Sequence, residues 1–314
     1  MKQDTFINHR EPVWREFEQQ LHAGDAFKGS FGALFREICA DLGKARARNY
    51  SPMLVNRLND LVTRGQAVFY RDKRAALVRL AGLVRREFPL ALHDNRYFIG
   101  FAIAAFFGIG LLSYLLAYYV PATVDVVFDP STLEDIGDMY NPAGPVQDGM
   151  RDRSDDILMF GIYIYNNISI AFQMFAGGVL FCAGALFYLI FNGVYFGMIS
   201  AYIVMQGYSE PFFSFVIGHG SFELTALVIA GAAGCRLGYA LLRPGHLTRF
   251  SAFQRAGKSA MPLIAGAFVM LVVAAGIEAF WSPREIDATI KYIVGSALWG
   301  FVLYRLVRGC VYGT

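Results

Sequence analysis

Long apolar runs between residues 97 and 307 constrain this chain more than any other feature. Charged side chains are scarce in all of them, and they cover Tyr97–Val120, Ile157–Gln206, Phe212–Leu242, Met261–Phe280 and Ile293–Val307. A membrane-spanning helix needs about 20 predominantly apolar residues. Only 17% of the residues are charged, whereas soluble domains average about 25%. The sequence therefore excludes an ordinary soluble protein and predicts an all-α polytopic membrane bundle.

The run Ile157–Gln206 is too long for one crossing. Its 50 residues would measure about 75 Å as a single helix, whereas the hydrocarbon core is about 30 Å thick. The best place for a turn is Gly177-Gly178, because paired glycines weaken a helix. A turn there predicts six spans. A re-entrant helix over 157–174 is the alternative and would leave five.

Charge is divided between two poles of the chain. Residues 1–96 hold 17 of the 28 Lys and Arg, and residues 121–156 hold nine acids against two Arg. Basic residues mark the cytoplasmic side of a membrane protein. We therefore expect residues 1–96 and the basic 243–260 loop in the cytoplasm, and the acidic 121–156 loop outside it. With six spans, both termini are cytoplasmic.

Residues 1–96 are predicted to form a small cytoplasmic helical domain ahead of the transmembrane domain, 97–314. Apolar residues recur at helical spacing in four segments, and Ser51-Pro52 is a good helix start. Six basic residues lie in the last segment: Arg71, Lys73, Arg74, Arg79, Arg85 and Arg86. They indicate either the positive-inside signal or binding to anionic headgroups or a partner.

Four ionisable residues lie at membrane depth: His219, Glu223, Arg236 and Glu278. Such a group costs at least about 2.5–3.5 kcal/mol to insert, so each is a functional candidate. His219 and Glu223 are four residues apart and share a helix face. Glu278 lies near the outer end of its span, so the three are expected to meet in one outer cavity. Arg236 is about 20 Å from Glu223 along the helix and cannot pair with it.

Two interpretations of His219, Glu223 and Glu278 stay open. A carboxylate and an imidazole can share protons near neutral pH, which indicates an ion or proton site. The same residues can instead form an interhelical hydrogen-bonded pair that locks the bundle. A zinc site is disfavoured, because HExxH is absent and no second histidine lies in the membrane region. We expect no metal and no cofactor.

Amides and small residues inside the runs predict helix packing. An amide can hydrogen-bond across helices, and small residues four apart let helices approach closely, within one chain or in a homodimer. An Asn-Gly pair in mid-helix also allows a local break. The residues concerned are Asn166, Asn167, Asn192, Gly193, Gly197, Gly234 and Gly238.

Enzyme and nucleic-acid motifs are not found in the sequence. There is no GxSxG and no dinucleotide fingerprint. Residues 252–259 resemble a phosphate loop, but Ala252 stands where the first glycine belongs. The basic residues follow membrane topology rather than a base-reading fold. We therefore expect a protein that is not an enzyme and binds no nucleic acid.

One series of motifs resembles the stage II sporulation protein M family of bacterial integral membrane proteins. It contains Asn166-Asn167-Ile168, Phe175-Ala176-Gly177-Gly178, Asn192-Gly193, His219-Gly220-Ser221-Phe222-Glu223 and Glu278-Ala279-Phe280-Trp281-Ser282-Pro283. The resemblance implies a membrane subunit of the bacterial inner membrane. It implies partners that degrade peptidoglycan or a MoxR-type ATPase system, and it supplies no agreed role for the ionisable residues.

These observations lead to one hypothesis and one alternative. The hypothesis is a non-enzymatic scaffold subunit of an envelope complex, in contact with the lipid bilayer and with partner proteins in two compartments. The alternative is a small ion or solute channel or transporter that uses His219, Glu223 and Glu278 as a polar outer site.

Overall fold

The structure, a computed structural model, describes residues 3–23, 31–142 and 153–313. Side chains are described for these residues except at 22–23, 68–77 and 153–154, so three of the basic residues named above, Arg71, Lys73 and Arg74, lie outside the described side chains. All regular elements of the described part are helices, which confirms the predicted all-α class. The chain divides into two compact units, Met1–Ala81 and Gly82–Thr314.

The first unit contains three helices, α1 (Gln3–Ala23), α2 (Phe31–Ala47) and α3 (Pro52–Gly82). They enclose one apolar core, in which Trp14, Phe17 and Leu58 are fully buried. The sequence predicted two helical segments where α3 runs unbroken. Within this helix, Gly65 lies against the ring of Phe35, which would be 2.7 Å from a Cβ at that position, so a residue without a side chain allows the close packing.

Ion pairs between arginine and carboxylate side chains join the helices of the first unit. The buried Asp41 accepts hydrogen bonds from Arg10 Nε at 2.6 Å and from Trp14 Nε1 at 3.0 Å. Glu11 accepts from both terminal nitrogens of Arg57, at 2.8 and 3.0 Å. These hydrogen bonds from Arg57 lower the pKa of Glu11. The unit is thus held by a core and by polar contacts between α1 and each of the other two helices.

The second unit contains ten α-helices in its described residues. They are α4 (Phe88–Asp94), α5 (Arg96–Ile103), α6 (Ile109–Tyr119), α7 (Ala122–Val127), α8 (Pro130–Tyr140), α9 (Arg153–Gly177), α10 (Ala183–Met205), α11 (Ser209–Leu242), α12 (Arg249–Phe280) and α13 (Ala288–Tyr312). A five-residue π-helical turn, Leu83–Glu87, precedes α4, and another, Ala104–Gly108, joins α5 to α6.

Six helices of the described part are long and apolar enough to cross a membrane, as predicted. The joined α5–α6 helix supplies the first, and the other five are α9 to α13. The long apolar run turns at Gly177 and Gly178, where α9 ends and residues 178–182 form turns. In α9, the 23 residues Asp155–Gly177 are sufficient for a full crossing, which favours six spans over the re-entrant alternative.

Close backbone contacts at glycines join several of the membrane-length helices. A Cβ at Gly193 of α10 would lie 2.5 Å from the Phe106 carbonyl oxygen, and one at Gly197 would collide with the carbonyl oxygen of Gly110. Gly178, Gly234 and Gly238 make equally close backbone contacts between the 178–182 turn, α9 and α11. Because glycine has no Cβ, these helix axes approach more closely than larger residues would allow.

The bundle has two ends that carry different connections. The turns 178–182 and 243–248 lie at one end, and the 281–287 turn and helices α7 and α8 lie at the other, which we call the 281–287 end. Val124, Phe128 and Leu133 of α7 and α8 are buried against residues of α6, α10 and α11. The acidic segment therefore buries an apolar face on the bundle instead of forming only an exposed loop, and residues 143–152 of it lie outside the described residues.

Two boundaries differ from the sequence expectation. The second unit begins at Gly82 rather than at residue 97, because Phe88 and Leu92 of α4 fill the space over Gly266 and Gly309. The last span begins at Ala288 rather than at Ile293, because the Asp287 side chain caps the helix by accepting from Thr289 N at 2.8 Å.

Candidate intramembrane site

His219 is the most buried of the ionisable residues predicted for the membrane, with 5% of its surface exposed. Its Nδ1 lies 3.2 Å from Oγ of Ser282, in the turn that follows α12. Its ring also packs edge-to-face on Phe215, one helical turn earlier, with 5.3 Å between centroids. The imidazole is therefore held from two sides, and a proton on Nδ1 leaves the lone pair of Nε2 available.

Glu223 lies one turn after His219 on α11, on the side of the free ring nitrogen. Its Oε2 lies 4.0 Å from His219 Nε2, which is longer than a hydrogen bond. Both side chains are largely buried, at 6% and 19% exposed. The two groups thus face each other with a gap between them that neither one closes.

Glu278 of α12 completes the cluster. One ligand atom of each residue, His219, Glu223 and Glu278, lies within 4.8 Å of the other two. The Oε2 atom of Glu278 is buried and has no hydrogen-bond partner among the described residues. An unsatisfied buried carboxylate oxygen is uncommon and calls for a ligand or a proton. The structure therefore brings the three predicted residues into one site.

Two cations at this end of the bundle bind groups other than the three site residues. Lys291 of α13 donates from Nζ to the Ser282 carbonyl oxygen at 2.9 Å. Arg284 of the 281–287 turn pairs with the buried Asp156 of α9. Neither lysine nor arginine pairs with Glu223 or Glu278 in the described part of the chain. Among the described residues, these two carboxyl groups thus have one imidazole beside them and no fixed positive charge.

Tyr140, the last residue of α8, lies within electrostatic reach of the cluster. Its ring packs on Phe212 and Phe215 of α11, at centroid distances of 5.0 and 6.2 Å. Burial first, and then the negative charge of Glu278, raises the pKa of Tyr140. The phenol therefore stays protonated and uncharged at neutral pH.

The asparagines predicted to lie within the spans form hydrogen bonds inside their own helices. Asn167 is buried, and its Oδ1 accepts from the neighbouring Asn166 at 3.1 Å. Asn192 donates to the Tyr188 carbonyl oxygen of its own helix at 2.8 Å. The possible break at Asn192-Gly193 is wrong: α10 continues through it, because Gly193 packs against α5–α6 and the amide bonds within the helix.

Two other sequence features also have structural positions. Arg236 lies over the ring of Phe98 at 5.7 Å, in a cation–π contact. The segment that resembles a phosphate loop, residues 252–259, is part of α12 and therefore has no loop to cradle a phosphate.

Sequence reasoning missed Ser282, Lys291 and Tyr140. Ser282 lies in the Trp281-Ser282-Pro283 motif, which could have indicated a polar group beside Glu278. Lys291 lies just before the predicted start of the last span, and the helix cap at Asp287 brings it inside. Tyr140 gives no signal, because its position depends on how α8 packs on the bundle.

Two family models match this chain. The model for Stage II sporulation protein M matches residues 96–283, more than half of the chain. A model described as Domain of unknown function (DUF8413) matches residues 4–71, within the first unit.

Sequence comparison also finds a curated relative. Uncharacterized protein MJ0793 of Methanocaldococcus jannaschii is 27% identical over 134 residues, which are 40% of this chain and 71% of that protein. No solved structure matches the chain. The family match includes all three residues of the intramembrane site and confirms the resemblance seen in the sequence. The chain therefore belongs to the stage II sporulation protein M family.

Proposed function

We propose that the chain is a non-enzymatic subunit of a bacterial envelope complex that holds partner proteins at the inner membrane. The observation that carries this proposal is the division into a three-helix unit with its own core and a second unit with six membrane-length helices. Each unit also has its own family match. A separate folded unit joined to a membrane anchor is suited to docking a protein at the membrane.

The resemblance to the sporulation protein suggests which partners to test. They are peptidoglycan-degrading proteins on the outer side and a MoxR-type ATPase on the cytoplasmic side. The charge distribution supports this assignment of sides, since basic residues mark the cytoplasmic end. Exposed Arg243 and Arg249 flank the 243–248 turn, whereas exposed Glu134, Asp135 and Asp138 lie on α8 at the 281–287 end. Both termini are then cytoplasmic.

Crosslinking in native membranes tests the proposal. The full-length chain is crosslinked and purified, and its partners are quantified by mass spectrometry. We expect near-stoichiometric recovery of a peptidoglycan-degrading protein or a MoxR-type ATPase. Reversal of Glu134, Asp135 and Asp138 to lysine is expected to reduce recovery of the outer partner alone. A chain recovered without either class of partner would contradict the proposal.

The intramembrane site favours a second candidate function, a small ion or solute channel or transporter. His219, Glu223 and Glu278 supply buried groups that a cation can exchange between. Flux through proteoliposomes, measured for protons, sodium and potassium, tests this candidate. Flux that disappears in Glu223→Gln and persists in Glu210→Gln, an exposed position on the same helix, would support transport.

A homodimer stays a prediction. Gly193, Gly197, Gly234 and Gly238 are covered by other helices of the same chain, so a dimer must use a different surface. Native mass spectrometry of the chain released from detergent distinguishes a monomer from a dimer.

A further inference from the structure

The intramembrane site presents the ligand set of a metal centre. One imidazole nitrogen and two carboxylate oxygens converge from two helices, with all three atoms within 4.8 Å of one another. Glu278 approaches from α12, 55 positions beyond Glu223, so no local sequence motif contains the complete set. This is why the absence of HExxH is no argument against a site here.

We propose that His219, Glu223 and Glu278 bind one divalent transition-metal ion of the zinc class. Zinc ligands lie about 2.0–2.2 Å from the ion, so two ligand atoms of a tetrahedral site are separated by roughly 3.3–3.6 Å. His219 Nε2 and Glu223 Oε2 are 4.0 Å apart. For this pair a closure of less than about 1 Å gives metal-binding geometry, and for the whole set, whose atoms lie within 4.8 Å of one another, side-chain rotations that close at most about 1.5 Å are sufficient.

The surroundings of His219 orient it as a ligand. Metal-binding histidines almost always donate their second ring N–H to another group, which fixes the tautomer and the ring orientation. Ser282 Oγ lies 3.2 Å from Nδ1 and is in position to accept this proton. Lys291 Nζ in turn donates a hydrogen bond to the carbonyl oxygen of Ser282. The nitrogen that remains, Nε2, faces Glu223 at 4.0 Å.

Charge at the site also calls for a cation. A divalent ion would neutralise both carboxylates, whereas Lys291 and Arg284 are bound to the Ser282 carbonyl and to Asp156. Asp156 of α9 is thereby already paired, and Tyr140 of α8 can only donate while protonated. No side chain or backbone group of the described residues donates a hydrogen bond to Oε2 of Glu278. Protons are the competing ligand, so metal affinity is expected to fall as pH falls.

The donor types select the class of metal. Imidazole distinguishes the site from calcium and magnesium sites, which use oxygen ligands. The lack of thiolate or thioether in the set disfavours Cu(I), whereas imidazole with carboxylate suits Zn²⁺, Mn²⁺ and Fe²⁺. Three protein ligands leave one tetrahedral position for water, as in open zinc sites rather than closed structural ones.

Metal content of the wild-type chain is the first test. The full-length protein, carrying an affinity tag without histidine, is stripped with chelator, reloaded with Zn²⁺ or Co²⁺, dialysed and analysed by mass spectrometry. We expect about one ion per chain. The Co²⁺ form is expected to show visible d–d absorption, and X-ray absorption of the Zn²⁺ form is expected to show one imidazole and oxygen ligands.

Matched variants locate the ion. Glu278→Gln and Glu223→Gln are expected to lose it, and Ser282→Ala is expected to weaken binding about 10–100-fold, as changes around metal ligands do. Glu210→Gln, which is exposed on α11, is expected to bind as the wild type does. If the glutamate variants fail to fold, the Ser282→Ala affinity and the wild-type X-ray absorption decide the question.

Several outcomes would overturn the proposal. They are a folded wild-type chain that takes up no Zn²⁺ or Co²⁺, a bound metal without imidazole, and equal affinity in the wild type and in folded Glu278→Gln. The metal measurement is independent of the crosslinking test of the proposed function. A chain can bind metal without recovering a partner, and it can recover a partner without binding metal.

Discussion

His219 of α11 and Ser282 of the 281–287 turn face each other across the end of the bundle, with Nδ1 and Oγ separated by 3.2 Å. Both residues are almost completely buried. The contact ties the orientation of an intramembrane histidine to the turn between two spans. A change in that turn therefore alters the surroundings of the His219 ring.

Removing the hydroxyl of Ser282 tests this connection. We expect Ser282→Ala to lower the free energy of unfolding by about 1 kcal/mol, because a buried ring nitrogen loses its hydrogen-bond partner. Thermal unfolding in detergent measures the change. Ser169→Ala is the control, since Ser169 bonds only to the Tyr165 carbonyl of its own helix. An equal effect of the two substitutions would show that the Ser282 contact has no special role.

Close backbone packing between α5–α6 and α10 predicts a steep response to a single methyl group. Gly197→Ala places a Cβ against the Gly110 carbonyl oxygen, and relieving the overlap should destabilise the bundle by about 1–3 kcal/mol. Gly161→Ala of α9 is the matched control, because no atom lies within 4 Å of a Cβ there. Both variants are compared by thermal unfolding. A Gly197→Ala protein as stable as the control would mean that these helices do not touch at Gly110.

The ion pair Asp156–Arg284 connects α9 to the 281–287 turn, and its two side chains differ in burial. The Asp156 side chain is 2% exposed and that of Arg284 is 45% exposed. Arg284→Gln leaves a buried carboxylate without a partner and should destabilise by about 3 kcal/mol. Asp156→Asn, which leaves an arginine that water can reach, should destabilise less. The opposite order in chemical unfolding would contradict the burial of Asp156.

The Glu11–Arg57 pair of the first unit predicts a pH dependence. The pKa of Glu11 is lowered from 4.5 in the folded chain by hydrogen bonds from Arg57. A carboxyl group whose pKa is lower in the folded chain stabilises the fold at pH values above its unfolded-state pKa. That contribution to stability is lost as the pH falls through the folded-state pKa.

Glu11→Gln should therefore destabilise by about 0.5–1 kcal/mol at pH 7, a range typical of a partly exposed ion pair. The difference from the wild type should shrink below about pH 4.5. Unfolding of the two full-length proteins at pH 7 and pH 3, followed through a fluorophore on the first unit, measures it. A difference that does not change with pH would exclude the ion pair as its cause.

Orientation in the membrane can be tested at two exposed positions. In a cysteine-free background, Val126→Cys of α7 should react with a membrane-impermeant maleimide added to intact cells. Leu247→Cys, in the 243–248 turn, should react only after permeabilisation. The physical reason is the positive-inside rule applied to the basic residues around this turn. The reverse labelling pattern would invert the assignment of sides.

The sequence was sufficient for the spans and for the residues of the intramembrane site. Apolar length gave the spans, and the spacing of His219 and Glu223 put both on one helix face. Glu278 could be expected nearby because its span ends at the same membrane surface. These inferences need only helix geometry and bilayer thickness.

The residues that surround the site depend on tertiary packing and could not be predicted from the sequence. Ser282 and Lys291 meet because a turn closes and α13 begins five residues before its predicted start. Tyr140 lies beside the site because α8 packs an apolar face on the bundle. The many acidic residues of this segment make that apolar face hard to recognise in the sequence. The packing of α4 in the second unit was also not predictable, because Phe88, which packs on Gly266, belongs to a segment that is basic overall.

Anomalous diffraction at the zinc absorption edge, from crystals of the full-length chain grown with Zn²⁺, tests the central claim most directly. One peak is predicted at about 2.0–2.2 Å from His219 Nε2 and from a carboxylate oxygen of both Glu223 and Glu278. A map without a peak at these three residues, with the two carboxyl groups hydrogen-bonded to each other instead, would contradict it.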